Sequence, residues 1–473
     1  MTKIEELMEL IISRANINLR EFSHDVGPYV RGMIPIENLW KFYAFYGMTL
    51  HHPVSFSFQR SALAGSYFLG NCDVDRSLIY KTDVRGDELK QEGDEIMVGD
   101  IKVVLQKDEK IYIKDSFLIK NLVHNFSHDP ENLAEFAIRN TVSMHYANIH
   151  GASMRGCFLG PYATVDLTSC HDCVVGEYAY VQVGELRHER VDAGEVWIKS
   201  GDDFDFVYQF PTEVLPKYIS FEKGEQPGGL LIDFVEDRQE DFEEIFGRYS
   251  CDADRQANQT AAVSRYAVIK GDVEISENVL IAQRAYIQDS KLGKGANAQE
   301  NCYIIDSHLK GNNVTAHGGK IIHATMGEDG FVGFNAFLRG SEECPLTVGS
   351  NCVIMPHTIM DLEEPLTVPP AHFVWGYIRN QKDFEENSMS MEDFINLEGE
   401  LNRGNMHFHG SGRAFVSAFA HRIEHILEAN GAYFEGGEQS GHAQMGRNQS
   451  YNTIEPYPEG EMRGMFPTIR ITP

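Results

Sequence analysis

Aliphatic side chains recur every six residues along much of this chain. The interval is kept by Ile275, Ile281 and Ile287, by Leu292, Ala298 and Ile304, and by Met326, Val332 and Leu338. An α-helical face recurs every three or four residues and a single strand every two, so neither explains a period of six. A hexapeptide period is typical of a parallel β-helix, in which short strands wind around a triangular prism.

The pattern predicts a mainly β protein, a left-handed parallel β-helix in two arrays. Helical sequence at the start, in one insertion and near the end accompanies the arrays. The expected divisions are a helical cap over 1–56, a first array with inserted strands and a short helix over 57–186, an insertion over 187–262, a second array over 263–380, and C-terminal helices with a polar tail over 381–473.

Four segments outside the coils carry their own patterns. The alternation in GDEIMVGDIKVVLQKDEKIYIKDSF predicts a hairpin or strand pair, and DPENLAEFAIR predicts a short polar helix. SMEDFINLEGEL and GRAFVSAFAHRIEHILEANG predict two further helices, the second ended by Gly431. The last forty residues are rich in Gly, Pro, Asn and Glu, and we expect them to be extended or disordered.

Composition limits the possible partners. Lys and Arg total 41 against 70 Asp and Glu, a net charge of -29, which opposes binding to nucleic acid or to an anionic membrane. A small-molecule substrate is therefore expected. The first residues lack the basic charge of a signal peptide, and no run approaches eighteen apolar residues, so we expect a cytoplasmic protein.

The eight cysteines predict reduced thiols rather than a disulfide framework. Cys170-His-Asp-Cys173 has the spacing of half a zinc site, but no second pair of matching spacing follows it. We interpret this segment as a corner of a β-helix coil.

Catalytic groups of a β-helix have to point outward, because the interior is dry and filled with aliphatic side chains. Three-sided prisms pack naturally around a threefold axis, so we expect a homotrimer with sites at its interfaces. Two motifs stand out, Arg85-Gly86-Asp87 and the segment HYANIHG that holds His145 and His150. Five residues apart, the two histidines diverge within one subunit, but neighbouring subunits could bring them together.

These two motifs resemble those of the γ-class carbonic anhydrases, over roughly 57–184. SALAGSYFLGNCDVDRSLIYKTDVRGDE is similar to that family's opening coils with their Arg-x-Asp turn, and HYANIHGASMRGCFLGPYATV to its His-x4-His-Gly segment. The resemblance implies that Arg85 and Asp87 support the site while His145 and His150 bind zinc or another divalent metal. Such a metal would activate water to attack a small electrophile such as carbon dioxide.

The third ligand is less clearly marked. The family's first ligand follows a Gln-Asp pair by a few residues, whereas here Lys114 replaces the Gln. His124 comes four residues later than the family's spacing, and His128 later still. His124 is therefore the candidate third ligand beside His145 and His150.

The second array carries its own histidines. His317 and His323 are six apart, His308 precedes them, and Ile287-Gln288-Asp289-Ser290 replaces the Arg-x-Asp turn. We interpret this array mainly as scaffold, or at most as half of a composite site, because a corner histidine commonly just bonds a neighbouring carbonyl.

Two alternatives remain open. The architecture equally resembles the hexapeptide-repeat acyltransferases, which place acetyl-CoA or another acyl-CoA in the groove between subunits and use one outward histidine as general base on a hydroxyl or amine. His145 or His317 would be that base, and the insertion over 187–262 favours this alternative slightly. The other alternative is a non-catalytic scaffold.

Overall fold

The computed structural model describes residues 2–48, 55–98, 100–126, 135–246, 259–437, 440–446 and 450–471. The chain forms two compact units. The first comprises Met1–Glu195, Pro216–Gly229 and Gln449–Pro473, and the second Val196–Leu215 and Leu230–Asn448. Both contain parallel β-helix coils, which confirms the predicted left-handed β-helix in two arrays.

Three parallel sheets form the faces of the first β-helix. The strands of the first face are Ala44–Met48, Tyr67–Gly70, Asp83–Glu88, Leu122–Phe126, Asn148–His150, Thr164–Asp166 and Tyr180–Gln182. The strands of the second face are Phe56–Gln59, Cys72–Asp75, Ile111–Lys114, Phe136–Arg139, Met154–Arg155, Thr168–His171 and Gly184–Arg187. The strands of the third face are Leu78–Tyr80, Phe117–Ile119, Val142–Ser143, Phe158–Leu159, Val174–Val175 and Arg190–Val191.

Two strands near the C-terminal end of the chain pair with the first coils of this β-helix. Ser450–Ile454 pairs antiparallel with Ala44–Met48, and Ile469–Ile471 pairs antiparallel with Phe56–Gln59. The polar tail was expected to be extended or disordered, and these two stretches are extended as strands that pair with otherwise open backbone edges of the first coils.

The helices of the first unit lie before its coils. They are Lys3–Asn18, the 3₁₀ turn Leu19–Phe22, Gly27–Val30 and Ile36–Lys41. A capping box at Thr2 begins the first helix, where the Thr2 side chain accepts from the Glu5 amide and the Glu5 side chain accepts from the Thr2 amide.

The predicted hairpin is present as Glu95–Val98 and Ile101–Val104, a separate two-stranded antiparallel sheet. The helix predicted in DPENLAEFAIR is wrong where the structure describes it. Phe136–Arg139 is a strand in register with Ile111–Lys114, so pairing within the coil overrides local helix propensity. Residues 129–134 of that segment, and His128, lie outside the described residues.

The second unit repeats the three-sheet plan. The strands of its first face are Ala262–Val263, Leu280–Ile281, Asn297–Ala298, Val314–Thr315, Phe331–Val332, Val353–Ile354 and His372–Val374, and Ser388–Ser390 pairs antiparallel with the last of them. The strands of its second face are Val268–Lys270, Tyr286–Gln288, Tyr303–Ile305, Lys320–Ile322, Phe337–Arg339, Ile359–Asp361 and Tyr377–Ile378. The strands of its third face are Glu274–Ile275, Lys291–Leu292, His308–Leu309, Ala324–Met326, Leu346–Val348 and Leu366–Val368.

Other elements accompany these coils. Phe204–Gln209, Met406–Ser411 and Glu398–Arg403 pair antiparallel, and the helices are Leu230–Glu236, Gln239–Phe246, Gln381–Glu386, Met391–Ile395, Gly412–Asn430 and His442–Met445. Glu195–Ser200 is a further strand, all but its first residue in the second unit, and Leu215–Tyr218 is a short helix whose last three residues belong to the first unit. Gly431, at φ 77, ends the helix Gly412–Asn430 as predicted.

The period of six is the spacing of inward side chains on successive faces. Ile281, Ile287, Leu292, Ala298 and Ile304 are all buried in the core of the second β-helix. Each fully buried aliphatic side chain stabilises the fold by about 1.5–3 kcal/mol relative to an exposed one, so the side chains that recur every six residues stabilise the coils.

The domain bounds expected from the sequence remain a prediction. The seven described cysteines are free thiols, in agreement with the expected reduced state. Among the described residues, no helix is long and apolar enough to span a bilayer.

Candidate active site

A row of polar side chains runs along one face of the first β-helix. Arg85, His124, His150 and Asp166 are in register on four adjacent parallel strands. Each follows an inward aliphatic residue, and side chains alternate along a strand, so all four point outward from the coil.

These outward groups are nevertheless buried. Arg85, His124 and His150 are each less than a tenth exposed, and Asp166 is fully buried. Burying a polar group costs free energy unless the group is hydrogen-bonded or ion-paired, so each of these four side chains needs a partner within the protein.

One end of the row is an ion-pair cluster. The Arg85 guanidinium donates to both oxygens of Asp87, from Nε at 3.1 Å and from Nη2 at 2.8 Å. Glu88 follows on the same strand, with its Oε1 3.2 Å from His124 Nε2 and 3.8 Å from Arg85 Nη2. Arg85 and Asp87 thus form a bidentate ion pair, and Glu88 contacts the imidazole of His124.

Glycine is required where this cluster meets the coil beneath it. Gly70 pairs with Gly86, the residue between Arg85 and Asp87. At φ 79, a Cβ on Gly70 would lie 2.2 Å from the Gly86 carbonyl group. The absence of a side chain therefore lets the two strands meet directly below the Arg85–Asp87 pair.

The other end of the row is an imidazole held by a carboxylate. His150 Nδ1 lies 2.8 Å from Asp166 Oδ1, and the Tyr180 hydroxyl donates to Asp166 Oδ2 at 2.5 Å. The same hydroxyl lies 2.9 Å from the Gln182 side-chain oxygen. Both Asp166 oxygens are thus engaged, which fixes the carboxylate and through it the imidazole.

The two imidazoles of the row are neighbours. The ring centroids of His124 and His150 are 5.1 Å apart and the rings meet nearly edge to face, at 72°. A base oriented by a buried carboxylate is the arrangement that general acid–base catalysis uses. The row can therefore accept or donate protons at two adjacent positions.

His145, the histidine that the sequence favoured as catalytic, lies elsewhere. It sits in the corner between Val142–Ser143 and Asn148–His150, before Tyr146 at φ 60. Its side chain is buried, and its Nδ1 has no hydrogen-bond partner among the described residues. Burial, with the charge of Lys120 adding to it, holds the pKa of His145 well below its ordinary value.

The second unit carries a histidine–carboxylate pair of its own. His317 Nδ1 lies 3.0 Å from Glu300 Oε2, and both side chains are buried. The His317 ring also packs on Phe334, with centroids 5.5 Å apart. His323 is partly exposed and lies 3.5 Å from Asp306, and His308 is exposed.

Comparison with known proteins assigns the chain to a family. A family model described as "Hexapeptide repeat including loop" matches residues 101–223. A crystal structure of a "putative acetyltransferase" from Desulfovibrio desulfuricans G20 is 54% identical, covers 100% of this chain and 99% of its own, and superposes with a TM-score of 0.94. The chain belongs to this hexapeptide-repeat family.

Two more distant structures are similar as well. A UDP-N-acetylglucosamine acyltransferase from Campylobacter jejuni is 12% identical, with 63% of this chain and 84% of that one covered and a TM-score of 0.17. A GDP-perosamine N-acetyl transferase from Caulobacter crescentus is 18% identical, with 24% and 52% covered and a TM-score of 0.11. At such scores neither bears on function. No curated protein matches the sequence.

The carbonic anhydrase resemblance is wrong as a guide to this hexapeptide-repeat protein. The 54% identical structure, similar over the whole chain, is described as a "putative acetyltransferase", and the comparisons give no support to zinc. The expected ligand set is also divided, because His124 and His150 share the row while the corner places His145 off it.

The sequence missed the carboxylates that orient the imidazoles. Asp166 follows His150 by sixteen residues and Glu300 precedes His317 by seventeen, which are the lengths of single coils in the two β-helices. Counting one coil forward or back from each histidine would have found both acids. Glu88 gives no such signal, because the hairpin separates its strand from that of His124.

Proposed function

We propose that the chain is an acyl-CoA-dependent O- or N-acyltransferase in which His150 is the general base. The observation that carries the proposal is the 2.8 Å contact between His150 Nδ1 and the buried Asp166 carboxylate. The relative that is 54% identical over the whole chain, described as a "putative acetyltransferase", supports the reaction class.

In this reaction His150 Nε2 accepts the proton of the acceptor hydroxyl or amine as that group attacks the thioester carbonyl. Asp166 Oδ1 keeps the other proton on Nδ1, which fixes the tautomer, and it stabilises the imidazolium that forms. Tyr180 holds the second oxygen of Asp166 in place. The carbon–sulfur bond breaks, and the products are an ester or amide and free CoA.

The test is release of the CoA thiol from acetyl-CoA, followed with a thiol reagent across a panel of small hydroxyl and amine acceptors. His150→Asn is expected to lower kcat by about 10²–10⁴-fold, the usual contribution of a general base. His308→Asn changes an exposed histidine and should retain the full rate. A His150→Asn protein with the rate of the wild type would refute the assignment.

The same assay tests the base that the sequence favoured. His145→Asn should retain most of the activity if His150 is the base. If His145→Asn abolishes turnover while His150→Asn does not, the role belongs to the corner histidine. If the wild type neither releases CoA with any acceptor nor binds acyl-CoA, the chain is the non-catalytic scaffold of the second alternative.

Self-association as a homotrimer remains part of the proposal. The chain mass is 53.4 kDa, so three copies would give a particle of roughly 160 kDa by multiplication. Light scattering after size exclusion measures this mass directly, and a monomeric particle would remove the trimer from the proposal.

A further inference from the structure

The row holds two imidazoles, and each has its own carboxylate. His150 is served by Asp166, which also accepts from Tyr180. His124 is served by Glu88, which lies on a different strand. The proposed reaction uses one of these two imidazoles and leaves the other unassigned.

The two imidazoles of the row are close enough for their charges to interact. With ring centroids 5.1 Å apart, a proton on one ring disfavours a proton on the other. A single proton shared by the pair leaves one ring as the acid and the other as the base. Such a pair is at once an acid and a base.

Thioester acyl transfer makes two proton demands. The acceptor loses a proton as its new bond to the acyl carbon forms, and the sulfur takes one up as its bond to that carbon breaks. His150 meets the first demand. A proton donor beside it, on the same face of the coil, would meet the second.

We infer that His124 is the general acid that protonates the leaving sulfur, an inference that rests on the proposed function. Glu88 Oε1 accepts from Nε2 of the protonated ring, and Nδ1 gives its proton to the sulfur. After one turnover His150 carries the proton and His124 is neutral. Transfer between the adjacent rings restores the starting state, so protons balance and no further reactant is needed.

A leaving-group comparison tests the role. The wild type and the variants are assayed with acetyl-CoA and with the acetyl thioester of 4-nitrothiophenol, whose thiolate is a stable anion that leaves without a proton. His124→Asn is expected to lose about 10²-fold or more in kcat/KM with acetyl-CoA. With the aryl thioester the loss should shrink at least tenfold.

Three controls separate catalysis from structure. His150→Asn should lose the same factor with both donors, because the acceptor still has to give up its proton. Glu88→Gln should show a weaker form of the His124 pattern, and it replaces His124→Asn should that variant fail to fold. Circular dichroism establishes that each variant keeps its β structure.

The outcomes divide cleanly. Equal losses for His124→Asn with both donors would overturn the acid role, since a positioning residue would affect both donors alike. No loss with either donor would overturn it as well. A wild type that turns over neither thioester with any acceptor would overturn the proposed function together with this inference.

Discussion

Replacing Gly70 with alanine should disturb both the stability of the first β-helix and the active site. The new Cβ would lie 2.2 Å from the carbonyl carbon and oxygen of Gly86, which stands between Arg85 and Asp87. Both obstructing atoms belong to the backbone, so relief requires the strand itself to move. The Arg85–Asp87 pair has to move with it.

The magnitude has two parts. A non-glycine residue at φ 79 costs about 1–2 kcal/mol, and overpacking against a closely fitted neighbour typically costs about 1–3 kcal/mol. We therefore expect a loss of about 2–5 kcal/mol. For a domain of this size each kcal/mol lowers the melting temperature by about 2–4 °C, so the shift should be about 4–20 °C.

Gly184→Ala is the matched control. Gly184 has φ 81, but nothing lies within 4 Å of a Cβ there. It should show the conformational cost alone, about 1–2 kcal/mol. Scanning calorimetry at one heating rate compares the two proteins, and CoA release should fall only in Gly70→Ala. Equal melting temperatures and equal activities would refute the clash.

Three further predictions follow from named groups. Burial lowers the pKa of Lys320 to about 8, so between pH 8 and about pH 10.5 the unfolded chain holds more protons than the folded chain, and stability rises with pH. Lys320→Met should raise the free energy of unfolding at pH 7 by up to about 3 kcal/mol. In urea titrations at several pH values, the variant should show a smaller rise of stability with pH. Burial first, then the charges of Arg190 and Lys223, lowers the pKa of His24 to about 4. The contribution of His24 to stability should therefore fall as the pH drops from 6.5 to 4, and His24→Phe should reduce the fall measured by calorimetry. If His124 and His150 carry protons as proposed, dialysis against a chelator should leave CoA release unchanged; loss of activity restored by a divalent metal would contradict both roles.

The hexapeptide period was sufficient to predict the coils, because a buried aliphatic residue on every face is what stabilises a β-helix. It could not predict partners that come from distant sequence. Ser450–Ile454 and Ile469–Ile471 close the first coils by antiparallel pairing, and nothing in their composition indicates where those edges lie.

The candidate site shows the same limit on a smaller scale. By linear spacing His124 falls four residues late, yet the structure places it in register between Arg85 and His150. The hairpin between Glu95 and Val104 leaves the coil and returns without changing the register, so counting along the chain misplaces everything after it. Register follows the pairing of strands, and sequence distance does not.

Strands near the other end of the chain close the first β-helix, so its folding cannot be completed until most of the chain has been synthesised. About 400 residues separate Ala44–Met48 from Ser450–Ile454, and ribosomes add about 5–20 residues per second. The earliest coils therefore wait roughly 20–80 s with an unpaired edge. The first coil to be made is therefore among the last to be completed.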